Sequence, residues 1–233
     1  CGTSGKSFMG WSSDNDATSV EKTAGTNVTA TAAVDWYACW STSSDVVLVT
    51  LYEKVMSTSS LAAGDIVLIC NTGATVAMGE QRSNNRDEAS VTSYEEGGKE
   101  YVYFTGTDVR ELTVGKSDDK FTFHDATRGG YLYAANSSSN QMKTNGKWAL
   151  VIAADGAATV TAQGDNTRNI MKYNSGSKIF SCYASGQQAV VFYKKTTQTI
   201  PVSTGSGSIT TDMDGCTSGP TIRANTNQWV TSA

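Results

Sequence analysis

The chain has 233 residues, of which 39% are apolar and 17% charged, and its net charge is −4. This length allows one well-packed domain with parts of others, and the low charged fraction is typical of a turn-rich β-protein with a neutral polar surface. The acidic balance argues against duplex nucleic acid as a partner, and no run approaches the roughly 20 apolar residues of a membrane-spanning helix.

Two tryptophan-bearing strands are predicted near the start, at Phe8-Met9-Gly10-Trp11 and Val34-Asp35-Trp36-Tyr37-Ala38-Cys39-Trp40. Alternation places Trp36, Ala38 and Trp40 on one face, which favours core packing. The pair resembles the closing half of the listeria-type internalin B-repeat, a β-grasp-like module of bacterial surface proteins with an F-x-G-W strand and an L-Y-A-x-W strand. The family has an aliphatic residue where Trp36 stands, and its first strands are missing here. The resemblance implies a partial module at residues 1–42.

A domain of short strands is predicted over residues 43–196, beginning with Val46–Val55. The next strand, Ile66–Cys70, is fully apolar, which is typical of a strand buried on both faces or of a barrel wall. From Asp65 to Lys195 a pattern of four short strands recurs three times, and the first unit is longer, with an acidic insertion at residues 95–98 and a fifth segment. The strands of the first unit are Ile66–Cys70, Thr75–Met78, Ala89–Tyr94, Tyr101–Phe104 and Val109–Val114. Those of the second unit are Phe121–His124, Tyr131–Ala134, Gln141–Thr144 and Trp148–Ile152. Those of the third unit are Ala158–Ala162, Ile170–Tyr173, Ile179–Tyr183 and Val190–Tyr193.

This recurrence predicts an all-β fold, specifically a twelve-stranded β-trefoil-like domain, because closure removes exposed strand edges. A β-sandwich of two sheets would use the same strands and stays open as the alternative. The region 52–195 also resembles a module of multi-domain secreted and surface proteins of gut-type Gram-negative bacteria, through Ala77-Met78-Gly79, Thr167-Arg168-Asn169 and Tyr193-Lys194-Lys195 among others. That resemblance implies an extracellular context without implying an activity. Residues 197–233 are predicted to be a linker and the start of a further β-module.

The polar residues give no catalytic or metal-binding pattern. The cysteines have no C-x-x-C spacing, and Cys39, Cys70 and Cys182 lie in apolar strand patterns that predict buried free thiols. The single histidine, His124, has no nucleophile motif around it and is predicted to be structural or solvent-exposed. The carboxylate pairs Asp87-Glu88, Glu95-Glu96 and Asp118-Asp119 are neighbours in polar turns, where solvated charges are usual. We predict no catalytic residue, no metal and no cofactor.

Aromatic side chains are the better candidates for ligand contact. Tyrosines and a tryptophan recur beside turns rich in Asn and Ser, and aromatic faces next to amides and hydroxyls suit sugar rings. The alternative is that these rings fill the barrel. The candidates are Tyr131, Tyr133, Trp148, Tyr173 and Tyr183.

These observations predict a non-catalytic, extracellular or cell-surface β-module of a larger bacterial surface protein, used for adhesion or carbohydrate binding. Its partners would be a glycan or a host or bacterial surface protein, besides neighbouring domains of the same polypeptide, with neither nucleic acid binding nor membrane insertion. A structural spacer, or a subunit of a surface stalk or filament, is the second hypothesis. An accessory domain of a secreted hydrolase is the third.

Overall fold

The computed structural model describes residues 6–24, 35–41, 46–117, 120–144, 148–152, 155–204 and 209–211, with only the backbone described at residues 117, 144, 148–152 and 203. The chain divides into two units, one of residues 1–49 with 199–233 and one of residues 50–198.

Strands account for nearly all of the regular structure in the described ranges, so the prediction of an all-β chain is confirmed. The one short helix there is a 3₁₀ turn at Thr58–Ser60, and Ser57 caps it by accepting a hydrogen bond from the Ser59 amide. The strands are β1 (Ser7–Ser12), β2 (Lys22–Thr23), β3 (Tyr37–Ser41), β4 (Val46–Lys54), β5 (Ile66–Asn71), β6 (Val76–Gln81), β7 (Arg86–Ser90), β8 (Thr92–Glu96), β9 (Lys99–Tyr103), β10 (Leu112–Ser117), β11 (Lys120–Asp125), β12 (Gly130–Ala134), β13 (Met142–Thr144), β14 (Trp148–Ile152), β15 (Ala157–Ala162), β16 (Ile170–Asn174), β17 (Ile179–Tyr183), β18 (Val190–Ser203) and β19 (Ile209–Thr210).

The first unit contains a four-stranded antiparallel sheet in the order β19-β3-β1-β2. Its packing centres on Trp40, which is buried and meets the Phe8 ring edge-on with 5.4 Å between ring centroids. Ala38 is also buried and Trp36 half-buried, as expected for core packing. Glycine is required at position 10, because a Cβ there would lie 2.1 Å from the carbonyl oxygen of Lys22 on the neighbouring strand.

The second unit contains a closed barrel of seven strands with further strands outside it. The barrel runs β5-β6-β7-β17-β16-β15-β18 and closes through the pairing of β18 with β5. The pairings also close a six-strand circuit, β5-β10-β11-β14-β15-β18. Outside both circuits lie the β12–β13 hairpin and the strands β4, β9 and β8.

Two hydrophobic cores share the strands β5 and β18. Side chains alternate between strand faces, so an apolar strand can supply a core on each side. The first core takes Val67, Ile69, Val190 and Phe192 from these strands, together with residues such as Phe123 and Leu132. The second core takes Leu68, Cys70, Val191 and Tyr193, and β9 covers it with Val102. The prediction that Ile66–Cys70 is either buried on both faces or part of a barrel wall is confirmed, since β5 is both.

The observed strands lie close to the predicted ones, with two corrections. β18 does not end at Tyr193 but continues to Ser203, through residues that were predicted to begin a linker. The predicted strand Ala89–Tyr94 is two strands, β7 and β8, because Val91 leaves the pairing and donates its amide to the carbonyl of Thr75 at 3.1 Å. β7 then pairs with β6 and β17, whereas β8 pairs with β9. Cys39, Cys70 and Cys182 are buried free thiols, as predicted.

Candidate functional site

Tyr131 and Tyr133 lie on the outer side of β12. The strand alternates, so that Leu132 and Ala134 enter the first core while the two tyrosines point the other way. Tyr131 is 41% exposed and Tyr133 is half-buried. The pattern G-Y-L-Y-A therefore sends its two largest rings away from the core.

His124 extends this surface across to β11. It is the Cα partner of Tyr131, and the two rings are 4.9 Å apart at an interplanar angle of 60°. Phe121 and Phe123 of the same strand are buried, so the imidazole lies on the opposite face from them, as predicted. On the other side of β12, Lys143 is the Cα partner of Tyr133. We call the side chains of His124, Tyr131, Tyr133 and Lys143 the Tyr131 face.

A buried ion pair fixes the turn that leads into β12. The Arg86 guanidinium, which is fully buried, donates to Asp125 with 2.5 Å between Nη1 and Oδ2. Asp125 also accepts the Arg128 amide at 3.0 Å through Oδ1, and its own carbonyl accepts the Gly129 amide at 2.8 Å. Gly129 has a φ of 75°, which glycine adopts without strain. The position of Tyr131 two residues later therefore depends on the Arg86–Asp125 pair.

The ion pair also shifts the pKa values of its two members. Burial alone would raise the pKa of Asp125, but the hydrogen bonds from the Arg128 amide and from Arg86 lower it below its usual value. Burial lowers the pKa of Arg86, against the opposing effect of Asp125. The Nε and Nη2 atoms of Arg86 are buried without a hydrogen-bond partner in the described part of the protein.

The structure separates the other candidate aromatics from this face. Tyr173 on β16 is 5% exposed and belongs to the first core, and its hydroxyl donates to the Glu88 carboxylate. Burial, followed by that hydrogen bond, raises the pKa of Tyr173 to about 12. Tyr183 on β17 is 6% exposed, and its hydroxyl accepts a hydrogen bond from Asn174 at 2.9 Å. The Trp148 side chain lies outside the described residues.

The predicted acid pairs take different positions. Glu88 accepts a hydrogen bond from Tyr173 and lies near Lys178, and Asp87 forms an ion pair with Arg82. Both carboxylates of this pair therefore have partners within the protein. Asp118 and Asp119 lie outside the described residues. Across the ranges that the structure describes, no three His, Cys, Asp or Glu side chains group as metal ligands would. The remaining pair, Glu95-Glu96, lies beside a cleft.

The cleft was not predicted from the sequence. It has a volume of about 170 Å³ and lies between the turn at residues 72–74, the β8–β9 hairpin and β18. The residues that line it include Tyr94, Tyr101, Tyr193, Glu95 and Glu100. Part of it was visible in the sequence, because Tyr94 and Tyr101 flank the acidic turn symmetrically, which indicates a hairpin with paired tyrosines. The two residues are Cα partners in the structure. The order of the strands along the chain does not show that β18 lies next to this hairpin.

Within the part of the chain covered by the structure, no helix is long and apolar enough to cross a membrane. Comparisons with protein-family models, with curated proteins and with solved structures found no match to this chain.

Proposed function

We propose that this chain is a non-catalytic carbohydrate-binding β-module of a larger extracellular bacterial surface protein. The observation that carries the proposal is the exposed Tyr131 ring held beside His124 on a rigid strand pair. A sugar ring has an apolar C–H face that packs on an aromatic ring and a rim of hydroxyls that needs hydrogen-bonding groups. The Tyr131 face offers both.

The polar groups of the face suit the rim of a sugar. The imidazole and the tyrosine hydroxyls can each donate and accept a hydrogen bond, and Lys143 supplies a donor. These groups project from paired strands, which hold binding side chains more precisely than loops do. The buried Arg86–Asp125 pair beneath the turn adds to that rigidity. A shallow, pre-formed surface of this kind favours binding over chemistry.

We further propose that the second unit is a β-trefoil. The six-strand circuit β5-β10-β11-β14-β15-β18 would be its barrel, and the hairpins β6–β7, β12–β13 and β16–β17 would be its three caps. Each hairpin follows one strand of the circuit and precedes the next, which is the threefold pattern of the sequence. A two-sheet β-sandwich would leave open sheet edges where these strands pair in a closed circuit. On this proposal β8 and β9 are an insertion into the first of the three units.

The extracellular location rests on the two family resemblances and on the neutral polar composition. Both resemblances are to modules of secreted or surface proteins of bacteria. An adhesive role toward a host or bacterial surface glycan follows from the same Tyr131 face.

A glycan array probed with the labelled protein, followed by affinity electrophoresis in gels containing each retained polysaccharide, tests the function. We expect retardation by at least one plant or host glycan, and its loss in Tyr131→Ala. Tyr37→Ala is the matched control, because Tyr37 is 37% exposed compared with 41% for Tyr131 but lies on β3 in the other unit. Binding to no glycan, or equal binding by Tyr131→Ala and the wild type, would overturn the proposal and favour the spacer hypothesis.

A further inference from the structure

The outer side of strands β10 to β13 carries no carboxylate among the residues that the structure describes. Phe123 and Leu132, for example, enter the first core, so the alternate residues of these strands lie on the outside. The outward residues with described side chains are Thr113, Gly115, Lys120, Thr122, His124, Tyr131, Tyr133 and Lys143. All of them are neutral or basic, so a ligand on the Tyr131 face meets no negative charge from these strands.

Lys143 brings a cation without a counter-ion to this face. It is half-buried, is the Cα partner of Tyr133, and makes no hydrogen bond or ion pair with any residue that the structure describes. Tyr131 is its diagonal neighbour on β12, and diagonal neighbours on a sheet are within reach of aromatic and long side chains. The Lys143 ammonium can therefore meet a ligand that lies on either tyrosine ring.

A second cation lies in the turn that leads into β12. Arg128 is exposed, and its side chain makes no hydrogen bond or ion pair within the described ranges. Two carboxylates stand next to these strands, and both are already paired. Asp125 is bound by the buried Arg86, and Glu111, which precedes β10, accepts a hydrogen bond from Lys195 at 2.7 Å. The positive charge of Lys143 and Arg128 is therefore not offset by the described part of the protein.

The charges and the rings together suit one kind of ligand. A neutral sugar would pack on Tyr131 but leave the Lys143 ammonium without a partner, and a sugar with an ammonium group would be repelled. A peptide or phosphate anion would pair with Lys143 but leave the exposed ring uncovered. A sugar ring that carries a carboxylate uses both groups. The whole chain has a net charge of −4, so a general attraction for polyanions does not explain the basic face.

We propose that the Tyr131 face binds an acidic sugar, one whose ring carries a carboxylate. This inference rests on the carbohydrate binding proposed above and adds the charge of the ligand. The sugar ring would lie on Tyr131, its hydroxyls would bond to the His124 imidazole, and its carboxylate would pair with Lys143. Uronic acids and sialic acids both have this chemistry, and the experiment distinguishes them.

The test is an NMR titration of the whole chain with trigalacturonate and, separately, with sialyllactose, at about pH 7, where both carboxylates are charged. The methyl ester of each sugar keeps the rings and removes the charge, and triglutamate supplies carboxylates without a sugar. We expect the amide shifts of residues 122–124 and 130–133 to move with at least one acidic sugar. Its methyl ester and triglutamate should bind about fivefold more weakly, because an exposed ion pair contributes up to about 1 kcal/mol, or about fivefold in affinity.

Two lysine substitutions sharpen the test. Lys143→Gln should weaken binding of the acidic sugar about fivefold and leave binding of its methyl ester unchanged. Lys172→Gln is the matched control, because Lys172 is also half-buried, without a described partner and at an outward position, but on β16, where the neighbouring Tyr173 is buried. It should bind both forms of the sugar as the wild type does. Tyr131→Ala should weaken binding of both forms.

The outcomes separate this inference from the proposed function. The inference is wrong if the methyl esters bind as tightly as the acids, or if Lys143→Gln has no effect on the acids. It is also wrong if triglutamate binds as tightly as the sugars. Binding of neutral glycans alone, lost in Tyr131→Ala, would overturn the inference and support the proposed function. Binding of no glycan of either kind at millimolar concentration would overturn both.

Discussion

Tyr131 and Tyr173 occupy the first strands of two similar hairpins, yet one ring faces outward and the other fills the core. In β12 the buried residues are Leu132 and Ala134, so Tyr131 lies on the outer face. In β16 the buried residues are Met171 and Tyr173, so the tyrosine lies on the inner face. The hydroxyl of the buried ring then requires a polar partner, which Glu88 supplies. A shift of one residue along a strand therefore decides whether an aromatic side chain faces solvent, where a ligand can reach it, or fills the core.

The largest effect is expected from the support beneath Tyr131. Asp125→Ala leaves the Arg86 guanidinium buried without its charge partner, and breaking a buried ion pair costs about 3–5 kcal/mol. Urea unfolding followed by circular dichroism measures the loss. The double substitution Arg86→Met with Asp125→Leu removes both charges and should recover much of the stability. A single variant as stable as the wild type would show that the pair does not hold the turn.

A smaller loss is expected at the hydroxyl of the core ring. Tyr173→Phe keeps the ring and removes the hydrogen bond to Glu88, which should lower the free energy of unfolding by about 1–2 kcal/mol. Tyr183→Phe is a control from the same hairpin, because its hydroxyl accepts from the neutral amide of Asn174 and should cost about half as much. Equal effects of the two substitutions would contradict the importance of the Glu88 carboxylate.

The same hydroxyl predicts a dependence of stability on pH. The pKa of Tyr173 is raised to about 12 in the folded protein, above about 10 for an unfolded chain. The unfolded state therefore loses its proton first, so the stabilisation is complete below about pH 10 and disappears as the pH rises to about 12. The difference in unfolding free energy between the wild type and Tyr173→Phe should shrink over that interval. A constant difference across it would show that Tyr173 has no such shift.

The smallest effect is expected at the exposed ring. Tyr131→Ala removes a side chain that is 41% exposed and makes no core contact, so stability should change by no more than about 0.5 kcal/mol. The same urea experiment measures it. This outcome would complete the contrast with Tyr173 and would allow the glycan assay to be interpreted as a loss of contact. A loss above 2 kcal/mol would instead place Tyr131 among the structural residues.

Strand positions could be predicted because turn formers separate short apolar and aromatic runs throughout residues 43–196. The alternation around His124 was also visible in the sequence. The Arg86–Asp125 pair was not, because its members are 39 residues apart and Arg86 stands in a polar run that resembles an exposed strand. The cleft was missed for a similar reason. It needs a turn, a hairpin and a late strand to meet, and that meeting depends on barrel closure rather than on local pattern.

The sharing of β5 and β18 between the two cores has a consequence for local opening of the second unit. A region can open by itself only if its buried contacts can be broken without disturbing its neighbours. Here the residues beneath the β8–β9 hairpin and those inside the barrel are alternate side chains of the same two strands. The backbone amides of β5 and β18 should therefore exchange with solvent only through global unfolding. The part of β18 that lines the cleft should have the same free energy of opening as the barrel.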